Sequence, residues 1–231
     1  MKKLSFYGDA PTNLQNVGEI RGKLIVVEGP DKVGRSTHIA ELKRWLENRG
    51  SAVIETGFTR SALAGKGIKQ AKQGHTLGSV TLFLYYATDF ADIVEGQIIP
   101  GLRSGYIILA DRYIYSAIAR AVVRGADPQW IREVYGFAPV PDAVLYLNIG
   151  VNGLIERTIN SGTGFNYWES GMDLRLGSDM FDSFKEYQSR VLNQFDGMTS
   201  EYGFQVIDAD RPADEVADDL RTAIDGVISL A

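Results

Sequence analysis

Two stretches carry residue types that could do chemistry on phosphate. In the first, Gly29 and Gly34 are separated by Pro30, Asp31, Lys32 and Val33, and followed by Arg35, Ser36 and Thr37. The glycines let the backbone curl tightly, so that its N–H groups can point at phosphate oxygens. Ser36 would place its hydroxyl on a Mg²⁺ ion. Arg35 stands where such a loop usually has lysine; it keeps the charge but offers a planar fork. The second stretch is Asp111-Arg112-Tyr113. Asp111 suits Mg²⁺, held directly or through water, and is alternatively the N-cap of the segment that follows. Arg112 could grip a phosphate with two parallel hydrogen bonds. Arg60 is expected in a loop on the same side; a solvated surface arginine is the other reading.

The neighbouring elements suit this chemistry. Leu24 to Val27 is a β-branched, apolar run of the kind a strand buried on both faces shows. A helix over Ser36–Asn48 follows, with Ile39, Leu42, Trp45 and Leu46 on one face and Gly50 at its end. Strand, glycine loop and helix in that order are the context of a phosphate-binding P-loop. Further strands are expected at Ala52–Glu55, Tyr106–Ala110, Ala143–Leu147 and Phe204–Ile207. Helical spacing marks Leu77–Pro100 as one long, largely buried helix carrying Tyr85, Tyr86, Asp89 and Phe90, aromatics that suit core and base platform equally. Helices are also expected over Ile114–Arg124, from Asp127-Pro128 to the stop at Pro139 and Pro141, over Val151–Thr158, from Phe181 to Met198, and through Val216–Val227. Residues 160–177 are rich in glycine and polar groups around Phe165, Tyr167 and Trp168, and read as a lid. Residues 1–22 read as an irregular N-terminal arm and residues 23–231 as one domain. Five strands alternating with helices predict an α/β protein of P-loop NTPase fold, with a parallel sheet covered on both faces.

Composition narrows the function. The 231 residues carry a net charge of −5, which leaves no overall basic footprint for nucleic acid. The chain has no cysteine, so it uses no disulfide or thiolate. No run is long and apolar enough to span a membrane, and the N-terminal residues lack the apolar core of a signal peptide, so the cytoplasm is expected. His38 and His75 show no ligand spacing, and a zinc site is not expected. No internal repeat or low-complexity tract is present.

Several segments together resemble the thymidylate kinase family of nucleoside-monophosphate kinases. Glu28-Gly-Pro-Asp-Lys-Val-Gly-Arg-Ser-Thr37 is similar to its P-loop, and Asp111 to Ala119 to its DRYxxSxxAY signature. Phe137–Ile149 resembles the strand that follows, Leu154-Ile155-Glu156-Arg157 its ALER, and Val206–Val216 its last strand and adenine loop. The resemblance implies ATP and Mg²⁺, a small nucleotide acceptor, and a homodimer among the partners. It implies that Gly29 to Thr37 cradle the ATP phosphates and that Asp31 lies near the sugar hydroxyl and phosphate of the acceptor. Lys32 aligns with a catalytic arginine of those members whose lids lack arginine, as does Thr158–Asp173 here. Arg60 and Arg112 align with arginines that hold the acceptor phosphate, and Tyr86 with the aromatic that stacks on thymine.

Three positions depart from the family pattern: Arg35, Phe90 in place of an arginine that reads the base edge, and Arg120 in place of an aromatic. The expected activity is transfer of a phosphoryl group from ATP to dTMP. The alternatives are a kinase for another small phosphate or nucleoside, and a nucleotide-binding regulator. Because phenylalanine donates no hydrogen bond, base selection is expected to rest on shape, stacking and donors such as Arg120 or Tyr85. On this placement, Phe90→Arg would sharpen the preference for thymine.

Overall fold

The computed structural model describes residues 3–74 and 76–229, so His75 lies outside the described residues. Its centre is a five-stranded sheet in the order β2-β3-β1-β4-β5, made of β1 (Lys23–Glu28), β2 (Val53–Gly57), β3 (Ile107–Asp111), β4 (Ala143–Asn148) and β5 (Gln205–Asp208). Every pairing is parallel. Successive residues of a strand point to opposite faces, and here both faces are core. Leu24, Val26, Ile108, Ala110, Val144 and Tyr146 join one cluster. Ile25, Val27, Leu109, Leu145 and Leu147 join the other. That two-sided burial is why the strands read as unbroken apolar runs.

Helices cover both faces. On one side lie α2 (Arg35–Asn48), α8 (Val151–Asn160) and α10 (Ala213–Ser229). On the other lie α4 (Ser79–Ile93), α6 (Ile114–Val123) and α7 (Pro128–Val134). The longest, α9 (Met180–Tyr202), gives Tyr187, Val191 and Phe195 to the second side and Phe184 and Leu192 to the first. Among the described residues the remaining α-helices are α1 (Thr12–Gln15), α3 (Gly65–Gly74) and α5 (Ile99–Arg103).

The largest differences from the expected helix boundaries are at two places. The helix expected to stop at Pro100 begins at Ser79 and runs on to Arg103, through a π segment at Val94–Ile98. Proline has no N–H to give and its ring crowds the carbonyl one turn back; widening to a π turn lets the chain continue past it. Conversely, α7 ends at Val134, before Pro139 and Pro141, with Tyr135 and Gly136 turning the chain. Its start is as expected: Asp127 accepts a hydrogen bond from the Trp130 N–H, with Pro128 as the first helical residue.

Residues 3–22 lie along the body of the fold. The backbone of Tyr7 and Gly8 bonds to Ala138 and Gly136, Phe6 bridges to Pro139, and Ala10, Leu14 and Ile20 are buried. Among the described residues, no helix is long and apolar enough to cross a membrane.

Candidate active site

β1 is the central strand, and the loop after it opens at the C-terminal edge of the sheet. In open α/β sheets, ligands bind at that edge, where the strand order reverses. The backbone takes left-handed or related positive φ at Gly29 (+148°), Lys32 (+66°) and Gly34 (+95°). At Gly29 any side chain would collide: a Cβ there would lie 2.8 Å from the Leu147 carbonyl oxygen. α2 then starts with no side-chain cap, so its first N–H groups and dipole are left for an anion. Ser36 and Thr37 are exposed at that start, whereas Pro30 and Val33 are buried under the loop.

Arg35 lies in the floor of this loop, about 9% exposed. Its Nε donates to Asp111 Oδ1 at 2.6 Å, and its Nη1 donates to the carbonyls of Gly29 and Pro30, both at 2.8 Å. Among the described residues Nη2 makes no hydrogen bond. The fork thus braces the loop as well as charging it.

Asp111 Oδ2 accepts from Ser36 Oγ at 3.0 Å and lies 3.5 Å from Arg60. Burial works against the Asp111 charge, but the Arg35 guanidinium outweighs it and holds the carboxyl below its usual range. A hydroxyl and a carboxylate side by side at the loop mouth are the hard oxygen donors that Mg²⁺ takes, the rest of its shell coming from substrate phosphates and water. The residues present therefore fit this ion.

The capping alternative for Asp111 is overturned. The start of α6 is held by Glu28, a fully buried carboxylate at the end of β1. Its Oε1 accepts from the N–H groups of Tyr113 (2.7 Å) and Ser116 (3.1 Å), and its Oε2 from Ser116 Oγ (2.6 Å) and the Gly29 N–H (3.2 Å). Sequence reading missed this role of Glu28 because Tyr113 and Ser116 lie more than eighty residues away, on another element.

Asp31 and Arg112 link the loop to a cavity of about 520 Å³. Asp31 accepts from Arg112 Nη2 and, at 2.6 Å, from Arg120 Nη2. Burial again opposes the charge, and Arg112 and Arg120 outweigh it, so Asp31 lies well below the usual carboxylate range. Arg112, at φ +72°, also donates to the Gly29 carbonyl (2.9 Å) and to Ser116 Oγ (2.8 Å). Burial and then the like charge of Arg120 lower its pKa to about 10.

The far part of the cavity is aromatic. Tyr86 lines it together with Phe58, Phe83, Tyr135 and Trp168. Two expectations are corrected here. Phe90 does not line the cavity: it is 3% exposed and stacked behind Phe58 at 5.3 Å, with Tyr113 at 4.9 Å on another side. Tyr85 packs onto α3, where its hydroxyl fills the space beside Gly67. Neither is a donor toward a ligand there. Phe58 takes the wall position instead; its place in Thr56-Gly-Phe-Thr-Arg60 was the available signal.

Arg60 stands beside Asp111 and is paired to Glu55 at 2.6 Å. Its loop hangs on Asp89, a fully buried carboxylate of α4 that accepts from the N–H groups of Thr59 (2.6 Å) and Ser61 (3.2 Å). Thr59 is held at φ +62°. Arg157 closes the loop from the other side, donating to the carbonyls of Val33 (2.7 Å) and Ala209. The only earlier signal for Arg157 was its place in the Leu-Ile-Glu-Arg run.

Residues 160–177 cross the cavity mouth and are tied down at more points than their composition implies. Lys32 Nζ donates to Thr163 Oγ1 at 2.8 Å. Arg124 donates to the Trp168 carbonyl (3.0 Å) and to Asp173, with its guanidinium 4.7 Å from the Tyr187 ring centre. Trp168 Nε1 donates to the Lys72 carbonyl on α3 at 3.1 Å. Glu169 lines the cavity; burial, and then the Asp31 charge, raise its pKa.

Similarity to known proteins agrees with this geometry. The sequence profile of the family described as thymidylate kinase matches residues 27–220. The chain is 36% identical over 203 residues to the "Probable thymidylate kinase 2" of Saccharolobus solfataricus, covering 87% of this chain and 95% of the other. It is 31% identical over 217 residues to the thymidylate kinase of Clavibacter michiganensis, covering 90% and 97%. It is 36% identical over 146 residues to the thymidylate kinase of Akkermansia muciniphila, covering 63% and 71%.

Proposed function

The chain belongs to the thymidylate kinase family, and from that premise we propose that it transfers the γ-phosphoryl group of ATP to dTMP, giving dTDP. The observation that carries this reading is the junction of two sites. A phosphate loop and an aromatic-walled cavity meet at the Asp31–Arg112–Arg120 cluster. That is where a donor phosphate and an acceptor phosphate have to face each other.

In this mechanism the acceptor phosphate oxygen attacks the γ-phosphorus in line, and no general base is needed because that phosphate is already ionised. Gly29 to Thr37 wrap the donor phosphates, with Arg35 Nη2 the inward positive charge. Lys32 acts on the transferring group, and its bond to Thr163 couples that role to the segment over the cavity. Arg112 and Arg60 grip the acceptor phosphate, Arg112 exchanging part of its bond to Asp31 for it. Asp31 is then free to accept from a sugar hydroxyl. Tyr86 and Phe58 hold the base, and Phe90 supports Phe58 from behind. Ser36 and Asp111 would hold Mg²⁺, which when bound would neutralise charge developing on the phosphates. The cytoplasm is the proposed compartment. A homodimer is proposed through the outer face of α4, where Val80 and Leu84 are 57% and 44% exposed; sedimentation at a monomer's mass would remove it.

Incubating the purified protein with ATP, Mg²⁺ and each nucleoside monophosphate in turn tests the activity. dTDP should form fastest; ATP binding with no transfer to any acceptor would leave a nucleotide-binding regulator. The inward turn of Arg35 favours that second reading. One connected set of Asp31, Ser36, Asp111 and Arg112 weighs against it, since a pure binder has no use for both ends.

Asp111→Asn should lower kcat on the order of 10²-fold, because the amide weakens the metal site and turns a donor toward Arg35. The fold should survive, since Glu28 and not Asp111 caps α6. Full activity with an unchanged Mg²⁺ titration would remove Asp111 from the metal site. Residues 160–177 should exchange amide hydrogens faster than α8 and α9 without ligand, and slow when ATP and dTMP are added together. Slow exchange that ligands leave untouched would mean a fixed wall and not a lid.

A further inference from the structure

Asp31 accepts one guanidinium on each carboxylate oxygen. Arg112 Nη2 donates to Oδ1, and Arg120 Nη2 donates to Oδ2 at 2.6 Å. Both arginines come from one stretch of chain. Arg112 stands just before α6, and Arg120 lies one turn beyond Ser116, about 6 Å further along the axis. The phosphoryl-transfer reading gives Arg112 a task and leaves Arg120 without one. Arg120 is also where this chain departs from the aromatic of the family pattern, and an aromatic ring carries no charge to pair with a carboxylate.

Arg112 cannot serve Asp31 and an acceptor phosphate in full. Of its two terminal nitrogens, Nη1 is taken by the Gly29 carbonyl (2.9 Å) and Ser116 Oγ (2.8 Å). Nη2, the nitrogen on Asp31, is the one that a phosphate can draw away. Asp31 is then a partly buried carboxylate facing the acceptor phosphate, anion against anion. Arg35 and Lys72 also favour its charge, but among the described residues neither bonds to it. Arg120 is the bonded partner that remains. It holds the other oxygen, so it needs no rearrangement when Arg112 turns to the phosphate. Burial opposes the Arg120 charge, but the Asp31 carboxylate outweighs burial and holds the guanidinium pKa above its ordinary value.

We propose that Arg120 is a positioning residue, which keeps the Asp31 carboxylate ionised and aimed at the acceptor's sugar hydroxyl once Arg112 has turned to the acceptor phosphate. The inference rests on the nucleotide-acceptor reading of this cavity. It deepens that reading by giving sugar recognition a residue outside the family pattern. With Oδ2 tied by Arg120, Oδ1 is the oxygen vacated by Arg112 and accepts from the hydroxyl in a fixed direction. Without that tie the carboxylate swings away from the phosphate or takes up a proton, and its hold on the hydroxyl weakens.

The test is Arg120→Met, which removes the charge and keeps an apolar stem, with Arg120→Lys as the conservative variant. Calorimetric binding of dTMP is compared with that of ddTMP, the same nucleotide without its sugar hydroxyl. The unmodified protein should bind dTMP on the order of tenfold or more tighter than ddTMP. Arg120→Met should weaken dTMP by a similar factor and ddTMP clearly less, so that the preference nearly disappears. Arg120→Lys still reaches one oxygen and should keep part of it. In steady-state kinetics the KM for dTMP should carry the loss and the KM for ATP should not. The preference is a ratio measured on one protein sample, so an unfolded fraction cancels from it. An equal loss for both nucleotides would put Arg120 on the phosphate or base and overturn the proposal. Unchanged binding of dTMP, or an unmodified protein that ignores the hydroxyl, would overturn it too. An unmodified protein that binds dTMP without turnover would instead sink the kinase reading, and the binding ratio would still decide Arg120.

Discussion

Arg35→Ala is expected to lower kcat on the order of 10²-fold or more, and to destabilise the phosphate loop as well. The first effect follows from losing a positive charge at the site of phosphoryl transfer, where preorganised electrostatic groups act most strongly. The second follows from the geometry. Three hydrogen bonds tie this side chain to Asp111 and to the Gly29 and Pro30 carbonyls, and Arg112 shares the Gly29 carbonyl. Alanine would leave Asp111, about 11% exposed at its side chain, with only Ser36 and the more distant Arg60. An unsatisfied buried group of this kind costs about 1–3 kcal/mol. Arg35→Lys separates the two effects: an ammonium can restore charge near phosphate but cannot span three acceptors in one plane. It should therefore recover kcat better than it recovers melting temperature. Steady-state kinetics with ATP and dTMP, run beside thermal denaturation, read both. Near-full transfer by Arg35→Ala would show that the loop's charge is supplied elsewhere, with Lys32 the first place to look.

Arg35 also illustrates how much of this site was legible in the sequence. The phosphate loop, the five strands and their order along the chain follow from local pattern: apolar runs of strand length, glycine spacing and helical periodicity. The side-chain partners do not. Whether the guanidinium of Arg35 points out to a ligand or down to Asp111 depends on β3, 76 residues later in the chain. Glu28 reads as the first residue of the phosphate-loop segment, yet its carboxylate organises the start of α6. Asp89 reads as one polar residue on an apolar helix, yet it holds the loop that carries Arg60. Each is a buried charge satisfied by backbone N–H groups of a distant segment, and periodicity carries no information about such partners.

The base-reading position shows the opposite failure, where a resemblance pointed too firmly. The family pattern puts Phe90 at a position where an arginine is expected to read the base edge, and Phe90→Arg is then expected to improve thymine selection. The structure reverses that expectation. Phe90 is 3% exposed, with ring centres at 5.3 Å (Phe58), 4.9 Å (Tyr113), 5.9 Å (Tyr135) and 5.8 Å (Phe137). An arginine there must bury a guanidinium among aromatic rings or push Phe58 off the cavity wall. Losing the aromatic packing alone costs about 3 kcal/mol or more, and an unpaired buried charge adds to it. In a chain of 231 residues, about 3 kcal/mol corresponds to a fall in Tm of roughly 6–12 °C. Because Phe58 rests on Phe90, KM for dTMP should rise in the same variant, with no gain in its preference over dUMP. Phe90→Leu, which keeps the site apolar, should lose clearly less on both counts. Melting curves for the two variants, with KM for each acceptor, decide the matter. If Phe90→Arg melts with the unmodified protein and selects thymine more sharply, the guanidinium has reached the cavity past Phe58, and the base-edge donor belongs to α4 after all.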